Sequence, residues 1–322
     1  MDVTNSSAKL RQGVYVPVVT PFNQNEDIDI PIFKRNIARL AKADCGLVLS
    51  GTLGEGNLLE REEKKLLVKA AKDVLMAEDL DNSIPIIAGI NGESLRQCVK
   101  HAQDAAEAGA DAAVVVAPSY FAFAYGKNKS ALKNFFESLA DRSPIPLLLY
   151  NIPFASGGID LDPDFLMDIA ISKGHRVALH VKSPEYRARH PLPFLVLPGG
   201  SDYMLPALVA RQDGCVSGPA NIYPKVMMKL FRTSVEALET GNAKKFREAQ
   251  QLQDLVTEAD SIINRVGFLG IKTAFDVHVA PDVKDVEYLG GVFRKPLPPP
   301  SEYVIETVRE GLKKIYEVEN SL

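Results

Sequence analysis

Three apolar runs in this chain each end in a short polar signature: LVLSGTLGEG at 47–56, VVVAPSY at 114–120 and LLLYNIP at 147–153. A parallel strand buried on both faces reads as a continuous apolar run. When such strands close into a β/α barrel, the residues just past their ends build the pocket. Here those residues are Thr52, Tyr120 and Tyr150. Three hydroxyls converging on one pocket can pass protons to and from a bound reactant. The glycine-rich turn 51–54 adds backbone N–H groups of the kind that cradle a carboxylate. A further run, RVALHVK, ends in Lys182. Alone, each of these residues has an ordinary explanation as a half-buried tyrosine, a helix-entry turn or a solvated lysine. Their joint order along successive strands is the specific signal.

The elements that must hold them are legible as alternation. Strand candidates fall at 13–20, 46–51, 84–90, 112–117, 145–150, 176–182, 194–198 and 214–218, with helix-period segments between most of them. Eight strands separated by helices predict parallel βαβ units, and eight is the barrel number. In 94–108, Leu95, Val99, Ala102 and Ala106 share a face and Gly109 supplies the stop. In 60–75, Leu67, Ala71 and Val74 share a face, and Glu60 is expected to pair with Lys64. Pro17 lies inside the first strand candidate, where proline removes a ladder donor. Beyond residue 221 the pattern is helical at about 223–238, 241–264 and 301–318, with a shorter piece near 268–276 and a proline-rich loop around 293–302. The expected division is a tail at 1–12, a (β/α)8 barrel at 13–236 and a C-terminal helical extension at 237–322.

The bulk numbers narrow the function. The chain has 322 residues, 46% of them hydrophobic, enough for a large core. A net charge of −4 gives no electrostatic case for nucleic acid or an anionic membrane. No apolar run approaches the ~20 residues that a membrane span needs. Cys45, Cys98 and Cys215 are far apart and sparse, which fits a reducing compartment. The first residues carry no apolar signal core and are too short for a mitochondrial presequence. The expectation is a soluble, cytoplasmic protein. His175, His180 and His190 form neither HxH nor HExxH, and neither AGINGES (88–94) nor SGPAN (217–221) has phosphate-loop spacing. No metal and no nucleotide are expected.

GTLGEG, PSY, YNIP and the run ending in Lys182, in that order, resemble the dihydrodipicolinate synthase / N-acetylneuraminate lyase family of class I pyruvate aldolases. The resemblance covers roughly residues 13–320 apart from 183–193, and it implies a (β/α)8 TIM barrel with C-terminal helices. It also implies the roles. Lys182 would form a Schiff base with pyruvate or another 2-oxo acid, its amine made partly neutral by burial or neighbouring charge. Tyr150 would protonate and deprotonate the intermediates, and Thr52 would link it to Tyr120, which the family usually lends across a dimer interface. Gly51, Thr52 and Leu53 would hold the substrate carboxylate, with Gly199, Gly200 and Val216 lining the pocket. Leu53 stands where the family commonly has a second hydroxyl residue, so contact there would rest on the backbone. The chemistry calls for no cofactor, and the expected assembly is a homodimer or homotetramer.

Two departures shape the substrate and the alternatives. An arginine two residues beyond YN-x-P grips the second substrate in bacterial dihydrodipicolinate synthases; the matching residue is Ala155. That argues against aspartate semialdehyde, hence against a dihydrodipicolinate synthase, and for a 4-hydroxy-2-oxoglutarate or 2-keto-3-deoxy sugar acid aldolase. Between Lys182 and the next strand run only the eleven residues 183–193, three of them proline. These cannot hold an ordinary crossover helix, so a loop or stub is expected after the sixth strand. The competing reading is a catalytically silent barrel with a binding or regulatory role. Lys173 and Lys272 are the other candidate nucleophiles.

Overall fold

The computed structural model describes residues 10–173, 177–180 and 195–322. Among the described residues there are seven strands, β1 (Gly13–Pro17), β2 (Gly46–Leu49), β3 (Ile86–Gly89), β4 (Ala112–Val115), β5 (Leu147–Tyr150), β6 (Val177–His180) and β7 (Gly214–Val216). All neighbours are parallel. The spatial order is β6-β5-β4-β3-β2-β1-β7, so the last strand lies against the first, as barrel closure requires. The expected seventh run lies along the far edge of β7. Asp213 N–H donates to the Val196 carbonyl at 3.0 Å, and Val216 N–H donates to that of Pro198 at 2.8 Å. It forms an extended segment with a single bridge residue, Val196. Pro198 has no N–H to give a ladder, and Gly199 and Gly200 follow at once.

The period-2 alternation sorts the strand side chains into two cores. Val14, Val16, Leu47, Leu49, Ile86, Ala88, Ala113, Val115, Leu147 and Leu149 face outward into the main core shared with the helices. Tyr15, Val48, Ile87, Ala112, Val114, Leu148 and Val216, with Leu197, fill the barrel interior. The interior is tight: a Cβ at Gly46 would lie 2.5 Å from the Tyr15 ring. Pro17 is the last residue of β1, so its missing donor falls at the strand end, while its carbonyl accepts from Asn221 Nδ2 at 2.9 Å.

The helices are α1 (Ile30–Lys42), α2 (Arg61–Ala77), α3 (Leu95–Ala108), α4 (Ala122–Tyr125), α5 (Lys129–Arg142), α6 (Pro163–Lys173), α7 (Met204–Val209), α8 (Pro224–Thr240), α9 (Ala243–Ala274), α10 (Glu302–Gly311) and α11 (Lys313–Ser321). Helix α3 starts and stops as its sequence signals. Ser94 Oγ accepts from Gln97 N–H at 3.2 Å, and Gly109 takes φ +100°. Helix α2 differs from expectation. Glu60 sits at its N-cap, its N–H donating to Glu63 Oε2 at 2.8 Å, instead of pairing with Lys64. Lys64 leans instead toward the Asn91 carbonyl at 3.5 Å. The two helices expected at 241–264 and 268–276 follow one another along α9, divided by a kink at Gly267, whose φ 71° and ψ −170° are not helical. Among the described residues, no helix is long and apolar enough to cross a membrane. The connection 183–193 lies outside the described residues.

Candidate active site

A cavity of about 530 Å³ opens where β1, β2, β5 and β7 end, roofed by α9. Its lining includes Gly51, Thr52, Leu53, Tyr150, Gly199, Gly200 and Val216, residues singled out from the sequence. A wider groove of about 780 Å³ on the outer wall, between α1, α8 and α11, holds none of them.

The turn after β2 is sharply made. Ser50 and Glu55 bracket it, both non-glycine residues in the left-handed region at φ 54° and 53°. Glu55 N–H donates to the Thr52 carbonyl at 3.1 Å and Gly56 N–H to that of Gly51 at 2.9 Å. The Gly54 carbonyl accepts from Thr20 Oγ1 at 2.7 Å. Only glycine fits at 56, where a Cβ would lie 1.8 Å from the Ser50 carbonyl oxygen. Among the described residues, the N–H groups of Thr52 and Leu53 have no acceptor. Paired donors left open in a cavity wall suit a carboxylate oxygen. The Leu53 side chain is buried; a Cβ at Gly218 would meet its Cδ1 at 2.8 Å and Ile271 Cδ1 at 2.6 Å.

Tyr150 ends β5, half-buried, and burial pushes its phenol up to about 12. It is therefore protonated at neutral pH and offers a proton before it takes one. Its ladder partner is His180, the last described residue of β6. Lys182, two positions further along, lies outside the described residues, as does the side chain of Lys173. Tyr120 does not line the cavity: its ring is 72% exposed and stands edge-on to Phe121 at 4.9 Å. Its backbone is held by Glu93, whose Oε2 accepts from Tyr120 N–H at 2.9 Å. One chain thus brings Thr52 and Tyr150 to one cavity and leaves Tyr120 outside it. Lys272 is no nucleophile for this cavity. Its amine is buried behind the turn, donating to Glu55 Oε1 and the Val292 carbonyl, each at 2.6 Å.

The far wall was not legible in the sequence. Asp260 on α9 accepts from Ser201 Oγ at 2.6 Å and from Tyr223 OH at 2.9 Å, and Ser201 Oγ meets Ser217 Oγ at 2.9 Å. Burial raises the Asp260 carboxyl to about 6, against the lowering effect of those two hydrogen bonds. Gln253, also on α9, donates to the Ser201 carbonyl at 2.9 Å and accepts from Leu205 N–H at 2.8 Å. Asp202, Asn264 and Phe268 complete that side.

The sequence pattern of the Dihydrodipicolinate synthetase family matches residues 10–315. The chain belongs to that family. The resemblance read from GTLGEG, PSY and YNIP is therefore borne out, and with it the (β/α)8 barrel carrying C-terminal helices. Family relatives match nearly end to end. An L-threo-3-deoxy-hexylosonate aldolase from Aspergillus niger is 33% identical, the match covering 97% of each chain. A protein from Emericella nidulans named as a probable mitochondrial 4-hydroxy-2-oxoglutarate aldolase is 32% identical over 96% of each. Among solved family structures, a dihydrodipicolinate synthase family protein from Coccidioides immitis superposes with a TM-score of 0.84 at 30% identity, covering 98% of this chain and 99% of that one. YagE of Escherichia coli K12, solved in complex with pyruvate, gives 0.79 at 25%, covering 95% and 99%.

Proposed function

We propose that this chain is a class I aldolase that makes or breaks a carbon–carbon bond to pyruvate through a Schiff base on Lys182. The observation that carries the reading is one cavity holding Thr52, Tyr150 and the open N–H pair of Thr52 and Leu53. In cleavage, the lysine amine adds to the C2 ketone of a 4-hydroxy-2-oxo acid and water leaves. The resulting iminium accepts the electron pair of the C3–C4 bond as the C4 hydroxyl loses its proton and becomes an aldehyde. Protonation of the enamine at C3 and hydrolysis then release pyruvate and restore the amine. Tyr150 handles these protons, with Thr52 passing them toward Tyr120 of a neighbouring chain in a homodimer or homotetramer. The turn N–H groups and the surrounding Gly51, Gly200 and Val216 hold the carboxylate end.

The acceptor side supports a sugar-acid substrate. Among the described residues lining the cavity there are two carboxylates, Asp202 and Asp260, and no lysine, arginine or histidine. Hydroxyl groups donate to such a wall; a second carboxylate would be repelled by it. The aldehyde half is thus neutral and polyhydroxylated, which ranks a 2-keto-3-deoxy sugar acid above 4-hydroxy-2-oxoglutarate. Ala155 supplies no cation for aspartate semialdehyde, against the dihydrodipicolinate synthase alternative. The second reading, a silent barrel of the same family, rests on the short, proline-rich stretch 183–193. For location, the reading stays with the cytoplasm, although the Emericella relative is named as mitochondrial.

Incubation with pyruvate and borohydride decides between the two readings. One reduced pyruvyl adduct per chain is expected by intact mass, mapping to Lys182 and absent in Lys182→Ala. Absence of any adduct on the unaltered protein would leave the silent barrel. Cleavage of a 2-keto-3-deoxy sugar acid faster than 4-hydroxy-2-oxoglutarate is expected; the reverse order would overturn the acceptor assignment.

A further inference from the structure

We infer that Lys272 is a positioning residue for the carboxylate-binding turn: acting through Glu55, it fixes the directions of the Thr52 and Leu53 N–H groups. The inference rests on the aldolase reading above.

Lys272 and Glu55 form an ion pair at 2.6 Å with side chains only 2% and 1% exposed. The ammonium lies between two aromatic faces, 4.7 Å from the Phe22 ring centre and 4.8 Å from that of Phe293. Its second acceptor is the Val292 carbonyl. The other Glu55 oxygen, Oε2, accepts from Arg294 N–H at 2.9 Å. Arg294 in turn grips Glu63 on α2 through both its terminal nitrogens at 2.7 Å. A cross-link therefore runs from α9 through Glu55 to the 292–294 segment and back to α2. Lys272 and Arg294 both bond Glu55, the residue that ends the 51–54 turn.

Two considerations separate positioning from mere stability. Desolvating both charges of a buried pair cancels much of their attraction, so such a pair contributes little net stability against an apolar pair of the same volume. What it does supply is a fixed geometry. This turn needs one, because Ser50 and Glu55 both hold backbone conformations that side-chain-bearing residues avoid, and surrounding contacts must offset that strain. The neighbouring residue on α9, Ile271, lies against Gly218 beside Leu53 in the cavity wall. Adjacent residues of one helix thus meet the turn from the cavity side and from behind.

The test is pyruvate trapping by borohydride as a function of pyruvate concentration, on the full-length chain, with thermal melts alongside. Lys272→Met should raise the half-saturating pyruvate concentration by at least about tenfold, the scale of a donor displaced by a fraction of an ångström. The adduct yield at saturation should stay at one per chain, because the nucleophile is untouched. Lys272→Met strands the Glu55 charge, so the double variant Lys272→Met with Glu55→Gln guards against a folding defect; it keeps side-chain volume and buries no charge. If the lysine positions the turn, the double variant melts near the parent and still needs more pyruvate. If half-saturation returns to the parent value together with the melting temperature, the role is structural only and the inference is overturned. Parental half-saturation in a folded single variant overturns it too. Failure of the parent itself to trap pyruvate would sink the aldolase reading and this inference together, an outcome distinct from the other two.

Discussion

At the scale of residues, Tyr150 carries the most chemistry of any described side chain. Burial pushes its phenol up to about 12. It therefore acts as an acid until a bound intermediate supplies a base. Tyr150→Phe removes that proton and leaves a ring of the same shape at the end of β5. Turnover is expected to fall on the order of 10²-fold or more, with an unchanged melting temperature and retained pyruvate trapping at Lys182. A variant that also loses the adduct would show that Tyr150 shapes the pocket instead of moving protons. Thr52, Tyr150, Gly51, Leu53, Gly200 and Val216 were legible because strand ends in a barrel converge by topology, whatever the loops do. Asp260 was not. An aspartate in the amphipathic stretch 243–266 reads as a solvated position. Its burial depends on Ser201 and Tyr223, far away in sequence, which no local pattern reports.

At the scale of elements, α9 is what turns a barrel rim into an enclosed site. Periodicity disclosed its two halves, and the glycine between them reads as a break. The structure breaks the helix at Gly267, whose φ 71° and ψ −170° are not helical, while Ile263 and Ile271 on either side both pack into the core over the same cavity. The local stop signal acts there, and burial of both flanks keeps the two halves over one site. Asp260 ties this helix to the loops after the last strands, and its carboxyl titrates near 6 when folded against an ordinary value of 3.8. Between those values the folded chain holds more protons than the unfolded one. Its contribution is therefore fully present below pH ~4 and lost as pH rises through about 6. About two units correspond to roughly 2–3 kcal/mol. Asp260→Asn keeps an acceptor for one hydroxyl and a donor for the other while removing the charge. Thermal melts should show the Asn variant gaining on the parent from pH 4 to pH 7.5. A stability difference that is flat with pH would show that Asp260 stays ionised throughout, held by its two hydroxyl partners.

At the scale of the whole molecule, the unspent feature is an aromatic face. Tyr120, Phe121 and Phe123 are 72%, 54% and 85% exposed, and their rings run on from one another at 4.9 and 6.1 Å. Adjacent exposed aromatics on one short segment mark an interaction surface more often than a solvated one. The occupant that suits them is a second copy of this chain. A symmetric pairing buries both patches at once, and it is also what Tyr120 needs in order to reach a Thr52–Tyr150 pair that its own chain does not let it touch. Oligomer and relay are then one property, and they should fail together. Phe123→Glu places a charge in the patch without altering the cavity lining or Tyr120 itself. Sedimentation equilibrium should show the parent as a dimer or tetramer and the variant shifted toward monomer. Turnover should fall with it, while pyruvate trapping at Lys182 persists, because the lysine does not depend on the relay. A parent chain that sediments as a monomer at assay concentration with full activity would mean that Thr52 and Tyr150 pass protons to solvent unaided, and Tyr120 would lose its place in the mechanism.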